Sequence, residues 1–251
     1  MSEKIVVYAP DSEARDRARK ISEKLHIVMV EDQPDFEALY LEVSEEGVAL
    51  CSRGMKLMAD LTESIPRLKK GRLTGEMLVH AARIKGADRE LTAIDATAGF
   101  GEDALLLAAA GFKIDLYEFD PIIFILLEDA VNRARQVDEL KEAVSRMSLH
   151  NTDSIAALNS LSDKDSPDIV LLDPMFPERS KTGSVKKKFQ LLQRLESPCS
   201  TEEELMAAAL KANPHKIVIK RPAKGPYLAG KKPDYSVPGK AIRYDVIISK
   251  A

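Results

Sequence analysis

Tryptophan is absent from this 251-residue chain, cysteine occurs only twice, and aromatic residues make up just 5%. Cys51 and Cys199 stand far apart and match no metal-ligand spacing, which excludes a disulfide scaffold and a cysteine-ligated metal centre. A reducing compartment, the cytoplasm, is expected, with no metal. Long apolar runs are missing too. The stretch Ile5 to Tyr8, behind Met1-Ser2-Glu3-Lys4, is too short for a secretory leader, and nothing in the chain is long enough to span a bilayer. No membrane partner is expected. A large charge imbalance is also absent: the formal net charge is −3, so an anionic partner has to be met by a local basic patch. What remains is ordinary for a globular protein, 45% hydrophobic and 31% charged, with length enough for one large α/β domain and an appendage.

The first part of the chain reads as a small α/β module over residues 1–64. Lys4 to Tyr8 predicts a strand, and Asp11 to Leu25 an amphipathic helix with Ala14, Ala18, Ile21 and Leu25 on one face. Asp11 or Ser12 is the expected N-cap. A short strand over Ile27 to Val30 follows. Ala38 to Val43 and Val48 to Cys51 flank Ser-Glu-Glu-Gly, a hairpin signal in which Gly47 supplies the positive φ. No chemistry is legible here.

Residues 65–251 read as a second, larger domain. Pro66 to Arg72 is basic, and Thr74 to Ile84 predicts a helix. From Leu91 onward strands and helices alternate. Strands are expected over 91–96, 113–118, 146–152, 169–173, 216–220 and 241–249. Helices are expected over 102–110, 121–135, 155–161, 187–195 and 202–212. Such alternation implies a parallel sheet covered on both faces. Ala223 to Lys240, rich in Pro, Gly and Lys, reads as a loop.

The chemistry sits at strand ends. The first strand of the alternating region runs into Asp95-Ala96-Thr97-Ala98-Gly99-Phe100-Gly101-Glu102-Asp103, a glycine loop that opens a helix. Glu102 and Asp103 put negative charge where a pyrophosphate would lie, which disfavours a dinucleotide and suits a cationic cofactor with an amino-acid portion. The next strand ends at Glu118-Phe119, seventeen residues past Gly101, where a carboxylate can accept from both hydroxyls of a ribose. The third ends at Asp153-Ser154, which either meets an adenine amino group or caps the following helix. The fourth ends at Asp173-Pro174-Met175-Phe176-Pro177, and an Asp-Pro-aromatic exit from an apolar strand suits a planar amine. Ligands of open α/β sheets bind beyond the carboxyl ends of the strands, so the four acidic ends converge on one site.

The order D-A-T-A-G-x-G, an acidic strand end, then D-P-M-F-P resembles the class I S-adenosylmethionine-dependent methyltransferases. More closely it is similar to the RsmJ-type ribosomal RNA small-subunit methyltransferases, which act on the exocyclic N2 of a guanosine. The likeness runs from Gly75-Glu76 through Ile84-Lys85-Gly86 to Val218-Ile219-Lys220-Arg221-Pro222 and Arg243-Tyr244-Asp245. It implies a Rossmann-like α/β fold, S-adenosylmethionine as cofactor, and ribosomal RNA or the small ribosomal subunit as substrate. Carried over residue by residue, it implies cofactor contacts from Asp95, Thr97, Gly99, Gly101, Glu102, Asp103, Glu118, Phe119, Asp153, Ser154 and Asp173. It also implies that Asp173 and Pro174 orient the amine while Phe176 stacks on the base. The chain departs from the family at Glu102 and Phe119, where arginine is usual. Arg72, Lys186, Lys187, Lys188, Lys220 and Arg221 are the candidate phosphate contacts. Competing readings are an amino-methyltransferase acting on adenine N6, cytosine N4 or a small-molecule amine, a nicotinamide-dependent dehydrogenase, and a non-catalytic RNA-binding protein. Class I methyltransferases commonly have seven strands, whereas six are predicted here.

Overall fold

The computed structural model describes residues 5–174, 191–192, 195 and 201–249. The expected helix 187–195 lies largely outside the described residues, as do Met175, Phe176, Pro177, Lys186, Lys187, Lys188 and Cys199. In chain order the elements are β1 (Val6–Tyr8), α1 (Arg15–Leu25), β2 (Met29–Val30), β3 (Tyr40–Ser44), β4 (Gly47–Ser52), β5 (Met55–Leu57), α2 (Ile65–Leu68), α3 (Met77–Ala82), β6 (Thr92–Asp95), α4 (Glu102–Ala109) and β7 (Lys113–Tyr117). They continue with α5 (Pro121–Ala134), α6 (Asp138–Val144), β8 (Met147–His150), α7 (Ser154–Ser160), β9 (Ile169–Leu172), α8 (Glu202–Lys211), β10 (Lys216–Pro222), β11 (Tyr235–Pro238) and β12 (Ile242–Ile248). The chain divides into two compact units, one of residues 1–60, 120–133 and 177–198, the other of residues 61–119, 134–176 and 199–251.

The first unit carries a five-stranded sheet in the order β2-β1-β3-β4-β5. β3 and β4 pair antiparallel with Ser44 opposite Gly47, as the hairpin signal predicts, and Gly47 takes φ +147°. Glycine is required there for a second reason. A Cβ would lie 2.8 Å from Asp129 Oδ2 and 2.9 Å from Arg133 Nε. Asp129 on α5 is buried, with Arg17 and Arg133 ion-paired to it and the Val48 amide donating to it at 3.1 Å. Arg133 also donates to the Ala59 carbonyl. Burial pushes the Cys51 thiol up to about 12, leaving it unreactive. The start of α1 corrects the expectation: its N-cap is Ala14, without a side-chain bond, while Asp11 and Ser12 contribute only backbone carbonyls.

The second unit carries a seven-stranded sheet in the order β11-β12-β10-β9-β6-β7-β8. β6 to β10 are parallel and β12 is antiparallel to both neighbours. The chain reverses direction across the sheet at β6, with β7 on one side and β9 on the other, which makes a topological switch point. Pleating divides the side chains between two faces. Ile94, Val170, Leu172, Ile217, Ile219 and Ile247 join Leu158 of α7 and Leu205, Met206, Ala208 and Ala209 of α8 in one core.

Several elements differ from the sequence reading, β5 and α2 among them. β11 lies inside the expected loop 223–240 and is the seventh strand. It was hidden because it is a sheet edge, where Pro238 costs no ladder bond that matters and exposed polar residues are tolerated. α6 was missed because it is short and its N-cap, Val137, offers no side-chain acceptor. The predicted helix 74–84 is instead a 3-10 turn, Leu73–Gly75, followed by α3, with extended backbone at Glu76 between them.

Candidate active site

Every described acidic strand end of the second unit lies at the carboxyl edge of its sheet. After β6 the chain turns through Gly99 (φ +53°) and Gly101 (φ +76°), and Gly101 is the N-cap of α4. Glu102 and Asp103 occupy the first turn of α4, where carboxylates complement the helix dipole. The loop is tied to both neighbouring strands. Ala98 N–H donates to the Tyr117 carbonyl and Ala96 N–H to the Leu171 carbonyl. Gly99 N–H donates to Glu118 Oε2 at 3.0 Å, and Asp173 N–H donates to Thr97 Oγ1 at 2.6 Å.

Strand register explains which side chains meet. Asp95 pairs with Leu171, Leu171 with Val218, and Lys220 with Tyr244. With a period of two, Asp95, Asp173, Lys220 and Tyr244 share the face over which α4 presents Asp103. Lys220 Nζ lies 2.8 Å from Asp103 Oδ2 and 2.9 Å from Asp173 Oδ2. Asp95 is 2% exposed and accepts the Thr97 amide at 3.1 Å. Burial, aided by Asp103 and Asp173 and opposed by that amide and by Lys220, pushes its carboxyl up to about 8. Burial pulls the Lys220 ammonium down, but Asp103 and Asp173 outweigh it and hold it above its ordinary range. Burial and Asp103 push the Tyr244 phenol up, keeping it protonated.

The remaining candidates divide. Phe119 is 61% exposed. Asp153 caps α7 through the Ile155 amide at 2.9 Å, and Ser154 is the first residue of that helix. Arg72 is exposed at a 3-10 turn. Lys220 and Arg221 are not presented as a basic pair. Arg221 points to the opposite face and is buried, with Nε donating to the Pro226 carbonyl at 2.8 Å and the guanidinium 3.3 Å from Glu202. Both side chains are engaged within the protein, where phosphate contacts had been expected.

Sequence reasoning missed several residues that build the site. Asn151 donates to the Glu118 and Phe119 carbonyls, joining the ends of β7 and β8. Arg67 forms a two-bond pair with Glu76 at 3.0 and 2.8 Å. Arg243 pairs with Asp245 through two bonds and donates to the carbonyls of Pro222, Ala223 and Gly225, fixing the exit from β10. An Arg-x-Asp in one strand, two residues apart and so on one face, was the available signal.

The glycine turn, a carboxylate reaching it from the second strand end, and an acid-rich edge facing a single ammonium fit a ribose-bearing, cationic cofactor. Among the described residues no cluster of His, Cys, Asp or Glu could hold a metal ion. The fold is that of a class I S-adenosylmethionine-dependent methyltransferase. Residues 21–249 match the family described as "Putative SAM-dependent methyltransferase". The chain belongs to the ribosomal RNA small subunit methyltransferase J family. It is 35% identical over 251 residues to the ribosomal RNA small subunit methyltransferase J of Pseudomonas aeruginosa, covering 98% of this chain and 95% of that one. The protein of the same name from Alkalilimnicola ehrlichii is 35% identical over 252 residues, covering 96% and 93%. The crystal structure of a SAM-dependent methyltransferase from Neisseria gonorrhoeae is similar over 98% of this chain and 96% of that one, with TM-score 0.77 and 27% identity.

Proposed function

We propose that this chain methylates the exocyclic N2 amine of a guanosine in small-subunit (16S) ribosomal RNA, in the cytoplasm. The observation that carries this reading is the placement of Asp173-Pro174 at the end of β9, its amide held by Thr97 and its carboxylate by Lys220. The printed names of the relatives supply the RNA class. The base and atom rest on the family likeness of the Asp-Pro-Met-Phe-Pro motif.

In this reading the cofactor is held by Asp95, the turn of Thr97, Gly99 and Gly101, Glu102 and Asp103, Glu118 and Phe119, Asp153 and Ser154, and Asp173. Bound there, S-adenosylmethionine supplies a methyl group activated by its positive sulfur. The rest is work for the chain. A guanine N2 amine is a poor nucleophile because its lone pair is delocalised into the ring. Asp173 accepts one amine hydrogen and the Pro174 carbonyl the other, which directs the lone pair out of the ring plane. Phe176 stacks on the base and offsets its removal from the RNA stack. The nitrogen sheds its proton only as the new C–N bond forms, so no strong base is required. The same residues would suit adenine N6 or cytosine N4, and nucleoside analysis separates these.

We also propose that residues 65–251 house the reaction, with 1–64 as a separate module, since all the contacts named fall in the larger segment. Arg72 with Lys186, Lys187 and Lys188 are the proposed phosphate contacts, and RNA affinity should then fall steeply with salt. The deciding experiment incubates the protein with labelled S-adenosylmethionine and small-subunit RNA or subunits, then digests to nucleosides. Label in N2-methylguanosine is expected, and label in any other nucleoside overturns the assignment.

A further inference from the structure

We infer that Lys220 is a positioning residue for methyl transfer, which aims the Asp173 carboxylate and keeps it ionised, and is not a contact to RNA phosphate. The inference rests on the proposed function in one respect: Asp173 is taken as the group that faces the acceptor amine.

The geometry argues for this directly. Lys220 Nζ bridges Asp103 Oδ2 at 2.8 Å and Asp173 Oδ2 at 2.9 Å, which spends its charge on two carboxylates at once. The groups around it are Asp95 from β6, Asp103 from α4, Asp173 after β9 and Tyr244 from β12. Arg67, which also acts on Asp103 and Tyr244, is committed to Glu76. Among the described residues three carboxylates therefore face one ammonium. Remove that ammonium and Asp103 and Asp173, beside an Asp95 that already favours its proton, lose the charge that offsets their repulsion, which raises the proton affinity of both. Asp95, buried and already inclined to hold a proton, cannot relieve both of its neighbours. Lys220 stays charged because Asp103 and Asp173 outweigh the cost of its burial. The Asp173 amide is fixed from the other side by Thr97 Oγ1 at 2.6 Å, so the residue is held at its backbone by the glycine turn and at its carboxylate by Lys220. A phosphate contact would have to draw Lys220 away from both carboxylates and break both ion pairs.

The test compares Lys220→Met, Lys220→Arg and the native chain in steady-state methylation of small-subunit RNA, with cofactor affinity measured by calorimetry. For Lys220→Met, kcat should fall about 10²-fold, the cost of a misplaced reacting group. Its KM for RNA should hold within about twofold, and the acid limb of the pH–rate profile should rise by about 1–3 pH units, the effect of one nearby opposite charge on a carboxylate. Lys220→Arg should recover most of kcat and return the limb toward its native position. An unmoved limb with raised KM and a shallower salt dependence would mean a phosphate contact and would overturn the inference. Turnover is not the sole readout. Carbon-13 NMR titration of the free protein should show the Asp173 carboxyl titrating at higher pH in Lys220→Met or, if that variant does not fold, in Lys220→Gln. An unchanged midpoint overturns the inference whatever the substrate. Failure of the native protein to methylate RNA would instead refute the proposed function, and the titration would still decide the case of Lys220.

Discussion

Each unit buries a cluster of charges, and the two are built in opposite ways. In the smaller unit one carboxylate, Asp129, is met by two guanidiniums and a backbone amide. In the larger unit one ammonium, Lys220, faces Asp103 and Asp173, with Asp95 buried alongside. The first cluster is complete. Its anion has donors on several sides, and its function is to hold α1 and α5 to the β3–β4 hairpin. Among the described residues the second sets more carboxylates than ammoniums at a sheet edge, an arrangement that stability alone would not select and that suits a cationic ligand. Damage to the first should therefore be read in folding, and damage to the second in chemistry.

That contrast can be broken at four places, the largest effect first. Asp173→Asn keeps the shape but loses the charge, and its kcat should fall about 10³-fold, within the range for a group acting on a proton in the transition state. Its melting temperature should stay near the native value, because it relieves an anionic cluster. Labelled methyl transfer beside a thermal melt checks both halves. Asp129→Ala should do the reverse. Two guanidiniums and an amide lose their acceptor, at a cost of about 3 kcal/mol, the low end for a broken buried pair because Arg17 is 40% exposed. Cofactor affinity of the folded fraction should be unchanged by calorimetry. Gly47→Ala strikes the same cluster from the backbone. Its Cβ meets Asp129 Oδ2 at 2.8 Å from a positive φ, so urea unfolding should show a loss of about 2 kcal/mol.

The smallest effect is a pH dependence. Asp95 is held near 8 in the folded chain, far above its unfolded value, so it favours folding at low pH. Between those values the native state holds a proton that the unfolded state has lost, and stability declines as pH rises. Asp95→Asn removes that decline and retains an oxygen for the Thr97 amide. The variant should gain steadily on the native protein as pH rises from 5 to 8, read from urea unfolding at each pH. A constant difference across that interval would show that Asp95 is ionised throughout.

The site's acidic strand ends were legible because carboxylates at the ends of apolar strands have few other uses, and the glycine turn showed itself through spacing. Lys220 and Arg221, adjacent in the chain, read as one basic patch, whereas the fold separates them. A pleated strand sends neighbours to opposite faces, so Lys220 joins Asp103 and Asp173 while Arg221 is buried near Glu202. That division needs the pairing of β10 with β9 and β12, which no local pattern contains. β11 was illegible for a related reason: it is four residues long, sits in a stretch rich in Pro, Gly and Lys, and is a strand only through its pairing with β12. The capping box of α8, Thr201 with Glu204, is the opposite case, with both bonds formed as local chemistry dictates.

The bond from the Asp173 amide to Thr97 Oγ1 has a mechanical consequence. In the proposed function Thr97 belongs to the turn that cradles the methyl donor, and Asp173 to the loop that meets the acceptor. Stitched at their bases, the two loops ride thermal motion together, and displacements they share leave the gap between donor and acceptor unchanged. Only their relative motion widens it, and that motion must stretch a 2.6 Å hydrogen bond. In that reading the reacting distance is gauged by a threonine hydroxyl.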